Sequence, residues 1–163
     1  METQHAGTLS LLRYLREVRG LTGVKEGCAE GDCGACTVAL LERAGNGRTG
    51  RFRAVNSCLV FLGMLQGRAV HTVEGIGDEV EPHPAQKALV DHRGSQCGYC
   101  TPGILVTARA LLERNSDPTR EEIREALSGN LCRCTGYQQI YESVEEAIVR
   151  MRRTASEPTG ASK

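Results

Sequence analysis

Leu11, Leu12, Leu15 and Val18 recur at helical spacing between Thr8 and Gly20, which predicts a short amphipathic helix capped by Thr8 and stopped by Gly20. The apolar pattern then breaks in a glycine-studded loop, "TGVKEGCAEGDCGAC", at residues 22–36. Two strand-like runs follow, "TVALLE" and "RFRAVNS", around the turn-rich "RAGNGRTG", and together they predict a hairpin. "CLVFLGMLQG" predicts a short helix and "AVHTVE" a further strand. From there on the pattern is helical almost throughout. Pro84 opens a helix over 84–93 that Gly94 stops, and Thr101-Pro102 opens another running to about Arg114. Thr119 with Glu122 forms a capping box for a third helix, ended by Ser128-Gly129, and Thr135 with Gln138 forms one for the last. Four short helices joined by brief turns predict a compact bundle. The stretch "TASEPTGASK" has nothing apolar to bury and predicts a disordered tail over 154–163. The expected class is α+β, with a mixed half over residues 1–78 and a helical half over 79–153.

Halves of about 70–80 residues lie near the lower edge of what a hydrophobic core alone stabilises. The chain has 163 residues, no Trp and only two Phe, so the large aromatic side chains that usually dominate a core are scarce. Another source of cohesion is therefore expected. Lys plus Arg balance Asp plus Glu at 20 each, and no basic stripe with interleaved aromatics is present, which argues against nucleic-acid binding. Arg13 and Arg16 interrupt "LSLLRYLREV", which excludes it as a signal peptide, and no stretch approaches the ~18 apolar residues of a membrane span. A cytoplasmic, reducing setting is the resulting expectation. In that setting eight cysteines point to metal ligands or redox groups rather than disulfides. His5, His71, His83 and His92 have no metal-binding spacing, and "REEIRE" is most simply the wet face of a helix.

The cysteines fall into two sets of four. Cys28, Cys33, Cys36 and Cys58 follow C-x4-C-x2-C and then, after 21 residues, C, the plant-type arrangement for a [2Fe–2S] cluster. Three thiolates that converge on an inorganic core require the backbone to wrap it with amides inward, and Gly27, Gly31 and Gly34 allow the tight conformations this needs. Cys97, Cys100, Cys132 and Cys134 form C-x2-C and C-x-C, 31 residues apart, each pair just ahead of a predicted helix start. Free N–H groups and the helix dipole favour an anion there. A second binuclear cluster would let one close pair serve one iron and the other pair its partner. Two structural zinc sites remain open, although both spacings are unusual for zinc, as does a zinc-stapled interaction module with no redox role. A redox dithiol is the ordinary meaning of an isolated "CGYC", but here a second pair accompanies it.

With these motifs in place, the chain resembles the iron–sulfur subunit of the molybdenum hydroxylases, the xanthine oxidase family. The resemblance runs from about Thr8 to Ala147 and rests on "GLTGVKEGCAEGDCGACTV", "NSCL", "GSQCGYCTPG" and "GNLCRCTGY". It implies a ferredoxin-like β-grasp domain followed by an all-α four-helix domain, each with one [2Fe–2S] cluster. It further implies an electron path from molybdopterin through the helical-domain cluster, then the ferredoxin-like cluster, to FAD. Cys97, Cys100, Cys132 and Cys134 would hold the cluster nearer molybdenum, and Cys28, Cys33, Cys36 and Cys58 the one nearer flavin. Gln96 matches the family glutamine that hydrogen-bonds the pterin, and Cys134 the cluster ligand closest to it. The expected partners are a large molybdopterin-binding subunit and an FAD-binding subunit, in a hetero-oligomer.

Within that family, "VNSCLVFLGMLQGRAVHTVEGI" and "HPAQKALVDHRGSQCGYCTPG" are most similar to xanthine dehydrogenases. Aldehyde, nicotine-type, aroyl-CoA and carbon monoxide relatives are the alternatives. One departure stands out. Family members begin with a β-hairpin ahead of the "TLSLLRYLRE" helix, whereas seven residues precede Thr8 here. The β-grasp sheet is therefore expected to lack its first hairpin and to carry an unpaired edge.

Overall fold

A computed structural model describes residues 7–42, 50–77 and 80–156. Its centre is a strand hydrogen-bonded to a neighbour on each side. β1 (Thr37–Glu42) has Thr37, Val38, Ala39 and Leu40 all buried, so it lacks the alternation of a half-exposed strand. It pairs antiparallel with β2 (Arg51–Asn56), from Thr37 opposite Asn56 to Glu42 opposite Arg51, and with β3 (Ala69–His71), Leu40 opposite Val70. The described residues thus form a three-stranded sheet in the order β2-β1-β3, with β3 at an edge. The predicted hairpin is present, and most of its turn, residues 43–49, lies outside the described residues.

The first helix departs from expectation. α1 (Leu11–Arg13) is capped by Ser10, whose hydroxyl accepts from the Arg13 amide, and it passes directly into a π-helical segment over Tyr14–Val18. Thr8 therefore lies outside the cap. The widened turn buries Tyr14 and Leu15 together with Leu11 and Leu12, and it leaves Val18 on the outside. These four pack with Val24, Cys36, Val38 and Leu62 into one core. "CLVFLGMLQG" yields only a 3₁₀ turn over Leu62–Leu65, and a second such turn spans Val73–Gly75.

The helical half comprises α2 (Pro84–Asp91), α3 (Thr101–Arg114), α4 (Arg120–Ala126) and α5 (Gln138–Ser156). The Thr119–Glu122 capping box forms as its spacing predicts. The one expected from Thr135 and Gln138 does not: the Thr135 hydroxyl faces Cys132, and Gln138 bonds Glu142 and Arg120 instead. α5 continues to Ser156, past the point where the tail was expected to start, while 157–163 and His5 lie outside the described residues. A second core gathers Ala88, Leu89, Ile104, Leu111, Ile123, Ile140, Val144 and Ala147.

α3 joins the two cores. Gly103 to Ala108 are all buried, because one side of the helix faces α2 and α4 and another packs on β1 and β2. The backbones of the two halves approach each other closely at Gly34. Its φ is +69°, and an added Cβ would collide with the Gly129 carbonyl. The Gly34 carbonyl accepts from the Thr37 hydroxyl at 2.7 Å and from Asn130 Nδ2 at 3.1 Å; Asn130 is itself buried and also reaches Thr37 Oγ1 at 3.3 Å.

Two expected outcomes follow from these contacts. Asn130→Ala removes buried bonds across the contact and should cost about 1–3 kcal/mol in urea denaturation. Gly34→Ala should cost more, since it adds backbone strain to a collision with a carbonyl that cannot swing aside. A further outcome, at the start of α2, concerns pH. His83 caps α2 by accepting from the Ala85 amide at Nδ1, 3.1 Å away, while its own amide donates to Gln86. Burial, and behind it the Arg109 guanidinium, hold the imidazole below its ordinary value of 6.5 against the opposing influence of Glu113. Only neutral Nδ1 accepts, so a cap contribution of about 1 kcal/mol is complete above the unfolded-state value and is lost as pH falls below it through the lower folded-state value. Urea melts on acidification below pH 6.5 should show this loss in the native chain, and His83→Asn, a cap that does not titrate, should lack that component.

Candidate functional site

The loop that leads into β1 carries three cysteines, and backbone conformation brings them together. Ala29 and Gly31 adopt left-handed φ values of 59° and 95°, turning successive amides toward the sulfurs. The amides of Asp32 and Cys33 donate to Cys28 Sγ at 3.3 and 3.4 Å, and the Cys28 amide donates to Cys33 Sγ at 3.4 Å. At Gly27 a Cβ would lie 2.7 Å from Cys33 Sγ, so the backbone passes too close to that sulfur for any side chain. Arg16 secures the loop from outside by donating to the carbonyls of Thr22 and Val24. Cys58 arrives at the end of β2. Ser57, fully buried, bonds the Cys36 carbonyl through its hydroxyl at 2.7 Å, and this sets Cys58 Sγ 3.4 Å from Cys36 Sγ.

The second set occupies the starts of two helices. Cys100 is the N-cap of α3, and Gly98, at φ 81°, folds the chain so that Cys97 returns beside it. Cys132 and Cys134 come from the segment ahead of α5. The sulfur contacts run across the two motifs, Cys97 with Cys134 and Cys100 with Cys132. The sequence reading lets each sequence-adjacent pair serve one iron; in the structure the two sulfurs that flank the central residue of "CRC" face different partners. Cys97 and Cys134 are exposed and Cys132 is buried, so the site has an outer and an inner end. Gln96 is exposed immediately before Cys97, at the outer end. The four sulfurs line an opening of about 200 Å³ together with Gly27, Tyr99 and Cys33 of the other set.

Local fields differ among the thiols. Backbone amides, that of Glu30 first and then that of Cys33, lower Cys28 to about 7. Burial, then the neighbouring Cys36, pushes Cys58 up to about 12. The Tyr99 amide and then Cys134 lower Cys97, whereas the hydrogen bond to Cys97 raises Cys134. Burial followed by Cys132 raises Cys100 to about 12. Burial opposes the Cys132 thiolate, yet the Thr135 hydroxyl and local amides bring it below its ordinary value. In the second set each close pair thus joins a sulfur that gives up its proton readily to one that retains it, and metal binding would displace the retained proton.

The donor set fits binuclear iron–sulfur clusters. All eight cysteines are free. A single tetrahedral ion with metal–sulfur bonds of about 2.3 Å needs four sulfurs around one point. Among the described residues no group of three or more His, Cys, Asp or Glu is placed to hold one metal ion. The sulfurs meet in pairs instead, and two pairs per site is the division two irons require. The two sites are also joined directly: the Leu131 amide, next to Cys132, donates to the Cys33 carbonyl at 2.9 Å, and Tyr99 Oη donates to the Glu26 carbonyl. Leu131 and Tyr137 have no chemical signature of their own in the sequence, and Thr135 carries only that of a helix cap; adjacency to "CRC" is the signal that could have pointed to the site.

Comparison with known proteins places this geometry. Residues 2–62 match a 2Fe-2S iron-sulfur cluster binding domain model, and residues 72–145 match a [2Fe-2S] binding domain model. The nicotinate dehydrogenase small FeS subunit of Eubacterium barkeri is 47% identical over 140 residues, which cover 86% of this chain and 83% of that protein. Xanthine dehydrogenase of Blastobotrys adeninivorans is also 47% identical, but over 135 residues that make up 10% of its length. Among solved structures, the aldehyde oxidoreductase of Desulfovibrio gigas superposes with a TM-score of 0.85 at 37% identity, covering 94% of this chain and 16% of that one. Quinoline 2-oxidoreductase of Pseudomonas putida 86 gives 0.80 at 37% identity, covering 94% and 89%. With two [2Fe–2S] binding domains and relatives of this identity, the chain belongs to the iron–sulfur subunits of the molybdenum hydroxylase family, which includes the xanthine dehydrogenases and aldehyde oxidases.

Proposed function

We propose that this chain is the electron-transfer subunit of a molybdenum hydroxylase of the xanthine dehydrogenase type, relaying electrons from a molybdopterin-binding subunit to an FAD-binding one. The observation that carries the proposal is the Leu131–Cys33 hydrogen bond, which links the backbones of two four-cysteine sites across a distance of one bond. In this reading Cys28, Cys33, Cys36 and Cys58 ligate one [2Fe–2S] cluster in a ferredoxin-like domain over 1–78, and Cys97, Cys100, Cys132 and Cys134 ligate the other in a four-helix domain over 79–153. When bound, the clusters supply two one-electron carriers in series. The contacts between sulfurs support a division in which Cys97 and Cys134 serve one iron and Cys100 and Cys132 the other, with Cys28 beside Cys33 and Cys36 beside Cys58 in the first set.

Exposed residues at the two sites support a direction for the relay. Cys134 and Cys97 stand exposed beside Gln96, which supports a docking face for the pterin at the outer end of the second site. Exposed Leu59 and Phe61 follow Cys58 in the chain and support contact with a flavin subunit. Substrate chemistry belongs to the partners. A second reading, a nicotinate-type hydroxylase, is favoured by the match over 83% of a small FeS subunit. Reduction of the purified complex by xanthine but not nicotinate supports the first, and the reverse pattern the second.

Iron and sulfide analysis after anaerobic purification should give two binuclear clusters, with two distinct EPR signals on reduction. Zinc in their place would overturn the relay and favour the zinc-stapled module. Cys134→Ala should remove or strongly perturb one signal and spare the other; two unchanged signals would refute the assignment of the close pair.

A further inference from the structure

Thr135 has the sequence position of a helix cap but serves a different partner. α5 begins only at Gln138, and the Thr135 side chain turns back to lie 3.1 Å from Cys132 Sγ, 7% exposed. Its hydroxyl oxygen is already occupied as an acceptor, since the Tyr137 amide donates to it at 3.2 Å. A metal-bound cysteine has lost its proton, so in the loaded protein the only hydrogen available along the Thr135–Cys132 contact is that of the hydroxyl. Tyr137 strengthens the arrangement from the opposite side: the Cys132 amide donates to its Oη at 2.8 Å. To make both contacts Tyr137 adopts φ 70° directly after Gly136 at 71°, a conformation that disfavours a residue with a side chain and is kept only where surroundings enforce it. Stacking on Tyr141, over which the Arg120 guanidinium lies, supplies that enforcement.

We propose that Thr135 is a positioning residue whose hydroxyl donates a hydrogen bond to Cys132 Sγ and raises the reduction potential of the cluster held by the second cysteine set. This inference rests on the ligand assignment above. Reduction by one electron adds negative charge that spreads onto the ligand sulfurs. A donor fixed on one of them stabilises the reduced form more than the oxidised one, and burial keeps water from substituting for the lost donor. Thr135 thereby favours reduction of the second set, and Tyr137 holds both Thr135 and Cys132 in the geometry this needs.

The test is EPR-monitored redox titration of the intact complex carrying Thr135→Ser, Thr135→Ala or Thr135→Val. With ambient potential fixed at the wild-type midpoint, Ala and Val should lower the reduced-to-oxidised ratio of the Cys134-sensitive signal several-fold, up to about tenfold, which is 59 mV for a one-electron couple. Thr135→Ser should match wild type, and the other signal should not move. An unchanged ratio in Ala and Val, or a Ser variant that shifts as far as Ala, overturns the proposal. Should the variants lose the cluster, ENDOR of the reduced wild type decides, because a hydroxyl donor requires a coupled proton that exchanges in deuterated water, and its absence overturns the proposal. A wild-type complex lacking the Cys134-sensitive signal refutes the ligand assignment itself, and is distinct from a signal that is present but insensitive to Thr135.

Discussion

Everything in this molecule depends on two backbones being allowed to touch. The Gly34 carbonyl points into the helical half and is met by Asn130, and a Cβ at Gly34 or Gly103 would hold the halves apart. Because Gly34 lies between Cys33 and Cys36, the residues that shape the first site are the same ones that form the contact. Because Asn130 lies two residues before Cys132, the second site is fixed by the same contact from the other side. The spacing between the sites is set by main-chain geometry, which side-chain motion cannot alter.

The thiols impose an opposite demand. Eight sulfurs that could each carry a charge are collected in a chain with formal net charge zero and few aromatic side chains to build a core around them. The fold handles this unevenly. Cys28 is surrounded by amides that welcome a thiolate, whereas Cys58 and Cys100 are pushed by burial toward the protonated form. A positive core placed among them would meet both conditions at once, since it would pair with the thiolates and replace the protons of the buried thiols.

Most of the site was legible in the sequence because cluster ligation depends on residue type and spacing, and both survive in a linear string. The strand pairing of "TVALLE" with "RFRAVNS" and the left-handed Gly31 and Gly34 appear where the pattern puts them, and within each set of four the cysteines lie in pairs. What the pattern missed has a common cause. Ser10 rather than Thr8 caps α1, where its backbone also bridges to Phe61, and Thr135 abandons its expected cap for Cys132 Sγ; both choices are made by tertiary contacts that propensity does not encode. The π-helical turn at Tyr14–Val18 was invisible for a similar reason, since one extra residue in a turn serves the packing of Tyr14 and Leu15 and has no compositional marker. The cross-motif pairing of Cys97 with Cys134 also required three dimensions, because chain neighbours need not be spatial partners.

α3 is buried against the sheet on one side and the other helices on the other. In evolutionary terms the two halves are therefore not interchangeable cassettes. A polypeptide carrying either one alone would uncover a helix face or a sheet face that is dry in the whole chain, at a cost in apolar surface returned to water.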